Sequence, residues 1–364
     1  MPPMHSRNAV LLTGGTGALG RELLPLLSAT DSDVFVLTRD EARAPGVRST
    51  RFVHGDIAHA VHLGMRETDA AMLRERVTHI IHCAAETRFT VPLEQARAVN
   101  VEGTRAVLDF ARSCHAVRAV ACASTVYVAG TRTGIILERE PGGCDWVNSY
   151  EQSKAEMEAV AREAMSTLPV SIYRFSTIIG HSTTGVVTSF NAIHHALRLF
   201  YQGLAPMVPG DLLTLVDVVA VDFAARALQH LVMRRFEPGT TYHVAAGSTR
   251  SCTLDELLDE TVRAFERSRP AWRKRRIERP AVVGADTYAL FARSVAESGN
   301  VLLQRAVQAV QAFAWQLVYP KTFDTSAADA ALSQTSIVAP HCRDFYGKVV
   351  ESCVATNWGA DGVA

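Results

Sequence analysis

The sequence of 364 residues lacks the features that mark a secreted, membrane-spanning or metal-binding protein. Its seven cysteines are scattered, with no CxxC pair, and neither they nor the histidines show metal-ligand spacing. We therefore expect reduced thiols, a cytoplasmic location and no metal site. The opening residues, MPPMHSRN, lead straight into a short apolar strand, without the apolar core and cleavage site of a secretory signal. No apolar run is long enough to predict a transmembrane span.

The chain also lacks net charge, since 37 basic residues balance 37 acidic ones. This balance gives no overall attraction to nucleic acid or to a membrane surface, so no nucleic-acid partner is predicted. Hydrophobic residues make up 48% and charged residues 20%, which is ordinary for a folded globular chain. The length exceeds the usual size of one core, so we expect two lobes.

Short apolar runs alternate with longer amphipathic ones between Ala9 and Ile178, as in a parallel sheet with helices on both faces. The predicted strands are Ala9–Leu12, Val34–Leu37, Arg51–Val53, His79–His82, Ala119–Cys122, Val170–Tyr173 and, returning later to the sheet, Thr241–Val244. The predicted helices include Leu19–Leu27, Leu93–Arg112, Tyr150–Met165 and Val216–Leu228. The expected fold class is α/β, a Rossmann-type doubly wound parallel sheet with a smaller, interleaved C-terminal substrate lobe.

The two lobes are expected to be interleaved along the chain. Residues 6–180 would form the nucleotide-binding domain, completed by 213–246, and residues 181–212 and 247–364 would form the substrate lobe. Apolar residues between Val301 and Val318 fall near helical spacing with glutamines between them. This pattern predicts a helix that faces the core or a second copy in a homodimer, rather than one lying on a membrane.

A glycine-rich loop directly follows the first predicted strand. The segment is Thr13-Gly14-Gly15-Thr16-Gly17-Ala18-Leu19-Gly20, and a helix begins at once. Glycines at this spacing let the backbone turn tightly and approach a pyrophosphate, while the helix N-terminus offers N–H donors. The position between a first strand and a first helix predicts a dinucleotide site.

The end of the second strand bears on which dinucleotide binds. The sequence there reads Val36-Leu37-Thr38-Arg39-Asp40. An acid would hydrogen-bond the ribose 2′-hydroxyl of NAD, whereas a cation suits the 2′-phosphate of NADP. Thr38 occupies the place of the acid and Arg39 follows it, so NADPH is the expected cofactor. Asp40 keeps NAD as the alternative, because a shift of two residues would make it the ribose ligand.

The candidate chemical centre is a Tyr-x-x-x-Lys pair at the start of a helical run. Tyr150 and Lys154 are four residues apart, which places them on one helix face. A neighbouring ammonium would stabilise the phenolate and lower the pKa of Tyr150, which makes the phenol a candidate proton donor. A Ser or Thr hydroxyl at the end of the fifth strand could orient a substrate carbonyl. Thr125 is the first choice and Ser124 the second, because alternation along a strand lets only one of them face the site.

These features resemble the extended short-chain dehydrogenase/reductase superfamily. Within it, the chain is most similar to the fatty acyl-CoA reductase and carrier-protein thioester reductase branch, called the male-sterility type. The stretches that carry the resemblance are Gly55-Asp56-Ile57, "HCAAETRF" at 82–89, "PLEQARAVNVEGT" at 92–104 and "STVYV" at 124–128. The resemblance covers roughly Val10 to Val244. The family pattern has Arg-Pro where this chain has Arg174-Phe175.

The resemblance implies a set of site residues. Those of the phosphate loop are Gly14, Thr16, Gly17, Leu19 and Gly20. Others at the cofactor are Arg39 at the 2′-phosphate, Asp56 and Ile57 beside the adenine, Ala84, Ala85 and Asn100 in the cleft, and Phe175 and Ile178 at the nicotinamide. The catalytic set is Thr125, Tyr150 and Lys154, and Lys154 would also hold the nicotinamide ribose.

The expected activity is NADPH-dependent reduction of an acyl thioester or an aldehyde, giving aldehyde, alcohol or both. Because the sequence shows no adenylation or carrier domain, the acyl group would arrive as a CoA ester or on a separate carrier protein. The dense basic run from Arg267 to Arg279 is first interpreted as a solvated loop. Its alternative role is to dock the phosphates of CoA or an acidic carrier protein. The rival functions are a sugar-nucleotide epimerase or dehydratase, a hydroxysteroid-type dehydrogenase, and a non-catalytic NADP-binding regulator.

Overall fold

A computed structural model describes residues 7–40, 47, 50–140 and 142–359 of the chain. Its centre is a seven-stranded parallel sheet with the order β12-β7-β5-β4-β1-β2-β3. These strands are β1 Asn8–Thr13, β2 Ser32–Thr38, β3 Thr50–His54, β4 His79–His82, β5 Ala119–Thr125, β7 Val170–Phe175 and β12 Thr241–Val244. The doubly wound α/β fold is therefore confirmed, and Thr241–Val244 does return to the sheet beside β7.

Short strands pair outside the central sheet. They are β6 Gly134–Ile136, β8 Thr177–Ile178, β9 Met207–Pro209, β10 Leu215–Val216, β11 Val218–Val219, β13 Cys252–Thr253, β14 Ala281–Val283 and β15 Lys321–Phe323. The pairs are β6 with β15, β8 with β11, β9 with β14 and β10 with β13. Each pair joins a segment to one later in the chain, so strand pairing links the C-terminal part to earlier parts of the fold.

The helices lie on both faces of the sheet and in the C-terminal part. They are α1 Ala18–Ser28, α2 Glu67–Arg76, α3 Leu93–Arg97, α4 Gly103–Ser113, α5 Ser149–Ala164, α6 Ala192–Gln202, α7 Val221–Met233, α8 Gly247–Arg250, α9 Leu254–Ser268, α10 Ala285–Glu297, α11 Val301–Ala314, α12 Ser326–Leu332 and α13 Cys342–Ala355. Short 3₁₀-helical segments include Val126–Ala129, Pro270–Arg275 and Trp315–Val318.

Alternating residues of the strands build two apolar cores, one on each face of the sheet. Along β1, Val10 and Leu12 face one core and Leu11 faces the other, as the twofold repeat of a strand requires. The first core contains α1 and α7 and continues without a break into α9 and α13, through Phe265 and Phe345. The expected division into two lobes stays a prediction, because this core spans both of them.

Two predicted helices differ from the structure. The segment Leu93–Arg112 is helical, but a π-helical turn at Ala98–Glu102 interrupts it. The predicted helix Val216–Leu228 begins only at Val221, because Val216 and Val218–Val219 form short strands. β-branched valines suit a pleated, paired backbone better than a helix, which accounts for the second difference.

The helix predicted between Val301 and Val318 is present as α11 and packs into the protein. Val307, Val310 and Ala314 are buried, and Leu317 is buried in the turn that follows. Their burial satisfies the apolar face within the same chain, which favours the core-facing interpretation. Within the described part of the chain, no helix is both long and apolar enough to cross a membrane.

Candidate active site

The strand order reverses between β1 and β4, and a long cleft lies at the carboxyl ends of the strands there. In doubly wound sheets this reversal is the usual place for a nucleotide, because loops on either side of it diverge. The cleft has a volume of about 680 Å³. It runs from the glycine loop and Arg39, at one end, to Tyr150 and Phe313 at the other.

The nucleotide end of the cleft is shaped by two glycines at which any Cβ would meet backbone atoms. Gly14 has a φ of +73°, and a Cβ there would lie 2.6 Å from the backbone N of Ala84. A Cβ on Gly20 would lie 2.2 Å from the carbonyl oxygen of Gly14. Gly17 is the N-cap of α1 and provides no side chain to satisfy the first N–H groups of that helix. The loop therefore offers close backbone approach and open N–H donors, which suit a pyrophosphate.

The end of β2 forms the rim of the same cleft. Thr38 is buried, and its hydroxyl donates to the carbonyl of Asp40. The Arg39 side chain is 78% exposed, and its guanidinium lies 3.8 Å from the carboxylate of Asp56. Asp56 and Ile57 also line the cleft. Arg39 thus stands at the rim with its guanidinium accessible from solvent.

A buried histidine hydrogen-bonds the end of β1, where the glycine loop begins. His82, at the end of β4, hydrogen-bonds Thr13 at 2.7 Å and Thr104 at 3.0 Å. Burial, followed by the charge of Lys154, lowers the pKa of His82 to about 3, so the imidazole is neutral. The hydroxyl of Thr13 also accepts the backbone N–H of Ala84. This chain of contacts ties β1 to β4 where Ala84 and Ala85 line the cleft.

Asn100, which the resemblance places in the cofactor cleft, does not lie on the cleft wall in the structure. Asn100 lies in the π-helical turn, is 1% exposed and is not part of the cleft wall. Its amide donates to the carbonyl of Glu86 and to the hydroxyl of Ser153, and its oxygen accepts the N–H of Glu86. Every polar atom of the side chain is engaged in holding the Glu86 backbone against α5, so its role is structural.

The two hydroxyls at the end of β5 have different partners. Ser124 donates to the buried carboxylate of Glu158 at 2.6 Å, within an ion-pair network that includes Arg174. Thr125 instead accepts the N–H of Tyr127 at 3.2 Å, and its hydroxyl lies near the phenol of Tyr150. This difference favours Thr125 as the hydroxyl available to a substrate.

Tyr150 and Lys154 both lie on α5 and both line the cleft. The expectation that Lys154 lowers the pKa of Tyr150 is wrong for the protein as it stands. Burial raises the pKa of Tyr150 to about 12, and the nearby Thr125 hydroxyl only partly opposes this. The ammonium of Lys154 donates to the carbonyl of Ala123 at 2.7 Å, and burial lowers its pKa to about 8.

Strand β7, which follows α5, has a buried arginine directly before Phe175. Arg174 is fully buried and forms a bidentate pair with Glu158 at 2.8 Å. This pair accounts for a charged side chain inside the sheet, since a buried ion needs a partner. Phe175 and Ile178 reach the cleft wall. Both residues therefore line the cleft despite the departure from Arg-Pro, and their place at the nicotinamide stays a prediction.

Several residues at the chemical end could not be assigned from the sequence. Phe89 stacks on Tyr150 with ring centroids 5.3 Å apart. The hydroxyl of Tyr127 hydrogen-bonds Thr177 at 2.8 Å, and Phe313 of α11 closes the cleft. Phe89 belongs to the "HCAAETRF" run, which was a usable signal, whereas nothing in the sequence pointed from Phe313 to Tyr150.

Comparison with known proteins assigns the chain to a family. The family described as "Male sterility protein" matches residues 12–228, more than half of the chain. The chain belongs to this male sterility protein family. The resemblance to extended short-chain reductases of the male-sterility type is thereby confirmed.

Relatives of this male sterility family member include reductases and parts of larger synthetases. The chain is 28% identical over 277 residues to a linear gramicidin synthase of Brevibacillus parabrevis, covering 69% of this chain and 5% of that protein. It is 24% identical over 323 residues to fatty acyl-CoA reductase 2 of Homo sapiens, covering 72% and 62%. The terminal R domain of the myxalamid PKS-NRPS pathway is 27% identical, with a TM-score of 0.80 over 98% of this chain and 93% of that domain. The chain thus spans only part of the synthase and of the fatty acyl-CoA reductase.

Proposed function

We propose that this male sterility family member is an NADPH-dependent reductase that transfers hydride to the carbonyl carbon of an acyl thioester, with free aldehydes as a second class of acceptor. The observation that carries the proposal is that one cleft joins an uncapped glycine loop to the half-buried phenol of Tyr150 and the hydroxyl of Thr125. Such a cleft brings a dinucleotide and a proton donor to the same carbonyl.

The nucleotide end fits a dinucleotide, since Gly14 and Gly20 leave no room for a side chain where a pyrophosphate would approach. The glycine loop and the first turn of α1 would hold the pyrophosphate, and Lys154 the nicotinamide ribose. Arg39 supports the choice of NADPH, because its exposed guanidinium can take a 2′-phosphate through two charge-assisted hydrogen bonds. When bound, the reduced nicotinamide supplies the hydride.

The chemical end supports reduction, because a phenol with a pKa of about 12 stays protonated at neutral pH. Thr125 would hydrogen-bond the carbonyl oxygen of the substrate, and Tyr150 would give its proton to that oxygen as the carbon receives hydride. The hemithioacetal product loses its thiol as the C–S bond breaks and the hydroxyl proton is released, which leaves an aldehyde.

The basic run supports a carrier for the acyl group, although it lies outside the cleft wall. Its ends are neutralised within the protein, since Arg267 pairs with Glu260 and Glu351, and Arg279 with Asp255 and Asp259. The middle of the run is exposed at Arg273, Lys274, Arg275 and Arg276. This cluster would steer an acidic carrier protein or the phosphates of CoA, while the thioester arm reaches into the cleft.

The activity itself is tested by incubating the protein with NADPH and a panel of acyl-CoA, acyl-carrier, aldehyde and sugar-nucleotide compounds while the nicotinamide absorbance is followed. We expect oxidation of NADPH that depends on the thioester. Activity on a sugar nucleotide alone would make the chain an epimerase-like enzyme, and binding of NADPH without any turnover would make it a regulator.

The carrier is tested by replacing Arg273, Lys274, Arg275 and Arg276 with Ser together. The KM for the carried thioester should rise roughly threefold to tenfold and lose much of its salt dependence, because rim charges act on association. Reduction of a free aldehyde should be unchanged, which separates docking from damage to the fold. Equal losses on both substrates would contradict carrier docking at this run.

A further inference from the structure

A buried polar bridge joins the C-terminal part of the chain to the helix that carries Tyr150. The carboxylate of Glu151, the residue after Tyr150, accepts a hydrogen bond from the side-chain amide of Gln316. The oxygen of that amide accepts a hydrogen bond from the ammonium of Lys321 at 3.0 Å. Glu151 is 0% exposed, Gln316 7% and Lys321 9%, so the bridge is shielded from solvent.

The bridge has one possible orientation of donors and acceptors. Gln316 must point its NH₂ towards the carboxylate and its oxygen towards the ammonium. Glu151 also accepts the backbone N–H of Val147 at 3.1 Å and the side chain of Asn148 at 2.8 Å. The carboxylate therefore organises the first turn of α5, where an unpaired buried charge would be costly.

Lys321 also contacts the second element of the chemical end. Its ammonium donates to the carbonyl of Gly130, directly after the turn Val126–Ala129 that follows Thr125. The same lysine is thus linked to the segment after Thr125 and, through Gln316, to the turn that holds Tyr150. Thr125 and Tyr150 must stay close to each other, because both would contact the same substrate carbonyl.

We propose that Gln316 and Lys321 are positioning residues that hold Tyr150 against Thr125 through Glu151. Neither residue is required to touch substrate or cofactor; their effect is on the relative placement of β5 and α5. Gln316 follows α11, whose Phe313 lines the cleft, so the bridge makes the geometry of the catalytic pair depend on the C-terminal part of the chain. The role in turnover rests on the proposed reductase function.

The bridge is tested by exchanging its two ends. Glu151→Gln alone replaces one carboxylate oxygen by an NH₂ group, which then faces either the NH₂ of Gln316 or the backbone N–H of Val147, a donor against a donor in both cases. Gln316→Glu alone sets two carboxylates opposite each other. The double variant Glu151→Gln/Gln316→Glu restores a donor to an acceptor, and it gives Lys321 a carboxylate partner. Gln308→Glu, at an exposed position on α11, is the matched control for the added charge.

We expect each single variant to lower kcat by about tenfold or more, since small misplacements of catalytic groups have large effects. The double variant should recover to within about threefold of the wild type, as coupled residues in a double-mutant cycle do. The KM for NADPH and the turnover of Gln308→Glu should stay unchanged, because neither the glycine loop nor Arg39 contacts the bridge. Losses that multiply in the double variant, or single variants with wild-type kcat, would overturn the proposal.

A second measurement separates this proposal from the function on which it rests. Amide hydrogen exchange across residues 147–152 should quicken in both single variants and return towards the wild-type rate in the double variant. If the wild type reduces neither a thioester nor an aldehyde, the proposed function fails, and the exchange data still decide whether the bridge holds this turn. Unchanged exchange in all three variants would overturn the bridge whatever the activity.

Discussion

The two ends of the cleft are built in different ways. The nucleotide end is made mostly by one continuous stretch, from Thr13 to Gly20, together with the end of the next strand at Arg39. The chemical end is assembled from β5, α5, the segment around Phe89 and the C-terminal part of the chain at Phe313 and Gln316. A local loop is a property of its own residues, whereas an assembled site depends on the packing of the whole fold.

This difference teaches where substitutions should act. Changes at the nucleotide end should alter affinity for the dinucleotide, and changes at the chemical end should alter turnover with the dinucleotide still bound. The proposed catalytic pair combines the half-buried phenol of Tyr150 with the buried ammonium of Lys154, so its chemistry should be sensitive to small shifts. The following variants test whether the two ends are as separable as their construction indicates.

The largest effect is expected at the chemical end, from Tyr150→Phe. This variant keeps the ring that stacks on Phe89 and removes only the proton donor, so turnover should fall by about 10²–10⁴-fold. NADPH affinity, measured by fluorescence titration, should remain that of the wild type. Tyr242→Phe, a buried tyrosine of β12, is the control and should keep full turnover. Near-normal turnover of Tyr150→Phe would contradict the mechanism.

The next largest effect is expected at the nucleotide end, from Arg39→Ala. Loss of a charge-assisted phosphate contact should weaken NADPH binding by about 1.5–3 kcal/mol and leave NADH binding unchanged. The control is Arg66→Ala, which removes an exposed arginine paired with Asp69. It should change neither the affinity for NADPH nor that for NADH. Isothermal titration with both nucleotides measures this difference. A wild type that binds NADH and NADPH equally would remove Arg39 as the source of selectivity.

A steric change in the glycine loop gives a somewhat smaller effect. Gly20→Ala sets a Cβ 2.2 Å from the Gly14 carbonyl oxygen, so the loop must shift, at about 1–3 kcal/mol of unfolding free energy. Dinucleotide affinity should fall with it. Gly284→Ala is the control, because a Cβ there meets no atom within 4 Å. Denaturant unfolding and nucleotide titration of both variants measure these effects. Equal unfolding free energies and equal dinucleotide affinities in Gly20→Ala and Gly284→Ala would show that the loop is not tightly packed.

The smallest effect concerns pH and the buried lysine. Burial lowers the pKa of Lys154 to about 8, from 10.5. Between these values the unfolded chain binds more protons than the native protein, so Lys154 makes wild-type stability rise with pH in that window. Lys154→Met should therefore be more stable than the wild type at pH 7, by about 1–2 kcal/mol after the lost hydrogen bond to Ala123 is counted. This difference in unfolding free energy between Lys154→Met and the wild type should shrink towards pH 10.

The control for this pH dependence is Lys348→Met, at an exposed position of α13. Its difference in unfolding free energy from the wild type should not change with pH. If the difference in unfolding free energy between Lys154→Met and the wild type instead grows from pH 8 to pH 10, burial does not disfavour the charged form of Lys154.

The sequence was sufficient for the elements that repeat a simple pattern. The strands of the sheet are largely buried and read as apolar runs, and the glycine loop lies between the first strand and the first helix. Sequence reasoning failed where burial and distant partners decide the outcome. Asn100 holds backbone rather than cofactor, and the pKa of Tyr150 is set by burial rather than by Lys154. Gln316 lies 165 residues from Glu151, and no local pattern links them.

The central claim, that one cleft delivers hydride from NADPH to a thioester carbonyl, is tested most directly by isotope transfer. The protein would be incubated with an acyl thioester and NADPH deuterated at the transferred position of the nicotinamide, and the aldehyde or alcohol analysed by mass spectrometry. The account predicts one deuterium on the former carbonyl carbon for each two-electron step, and none with Tyr150→Phe over the same time. Thioester consumed without deuterium in the product, or NADPH bound and never oxidised by any thioester or aldehyde, would contradict it.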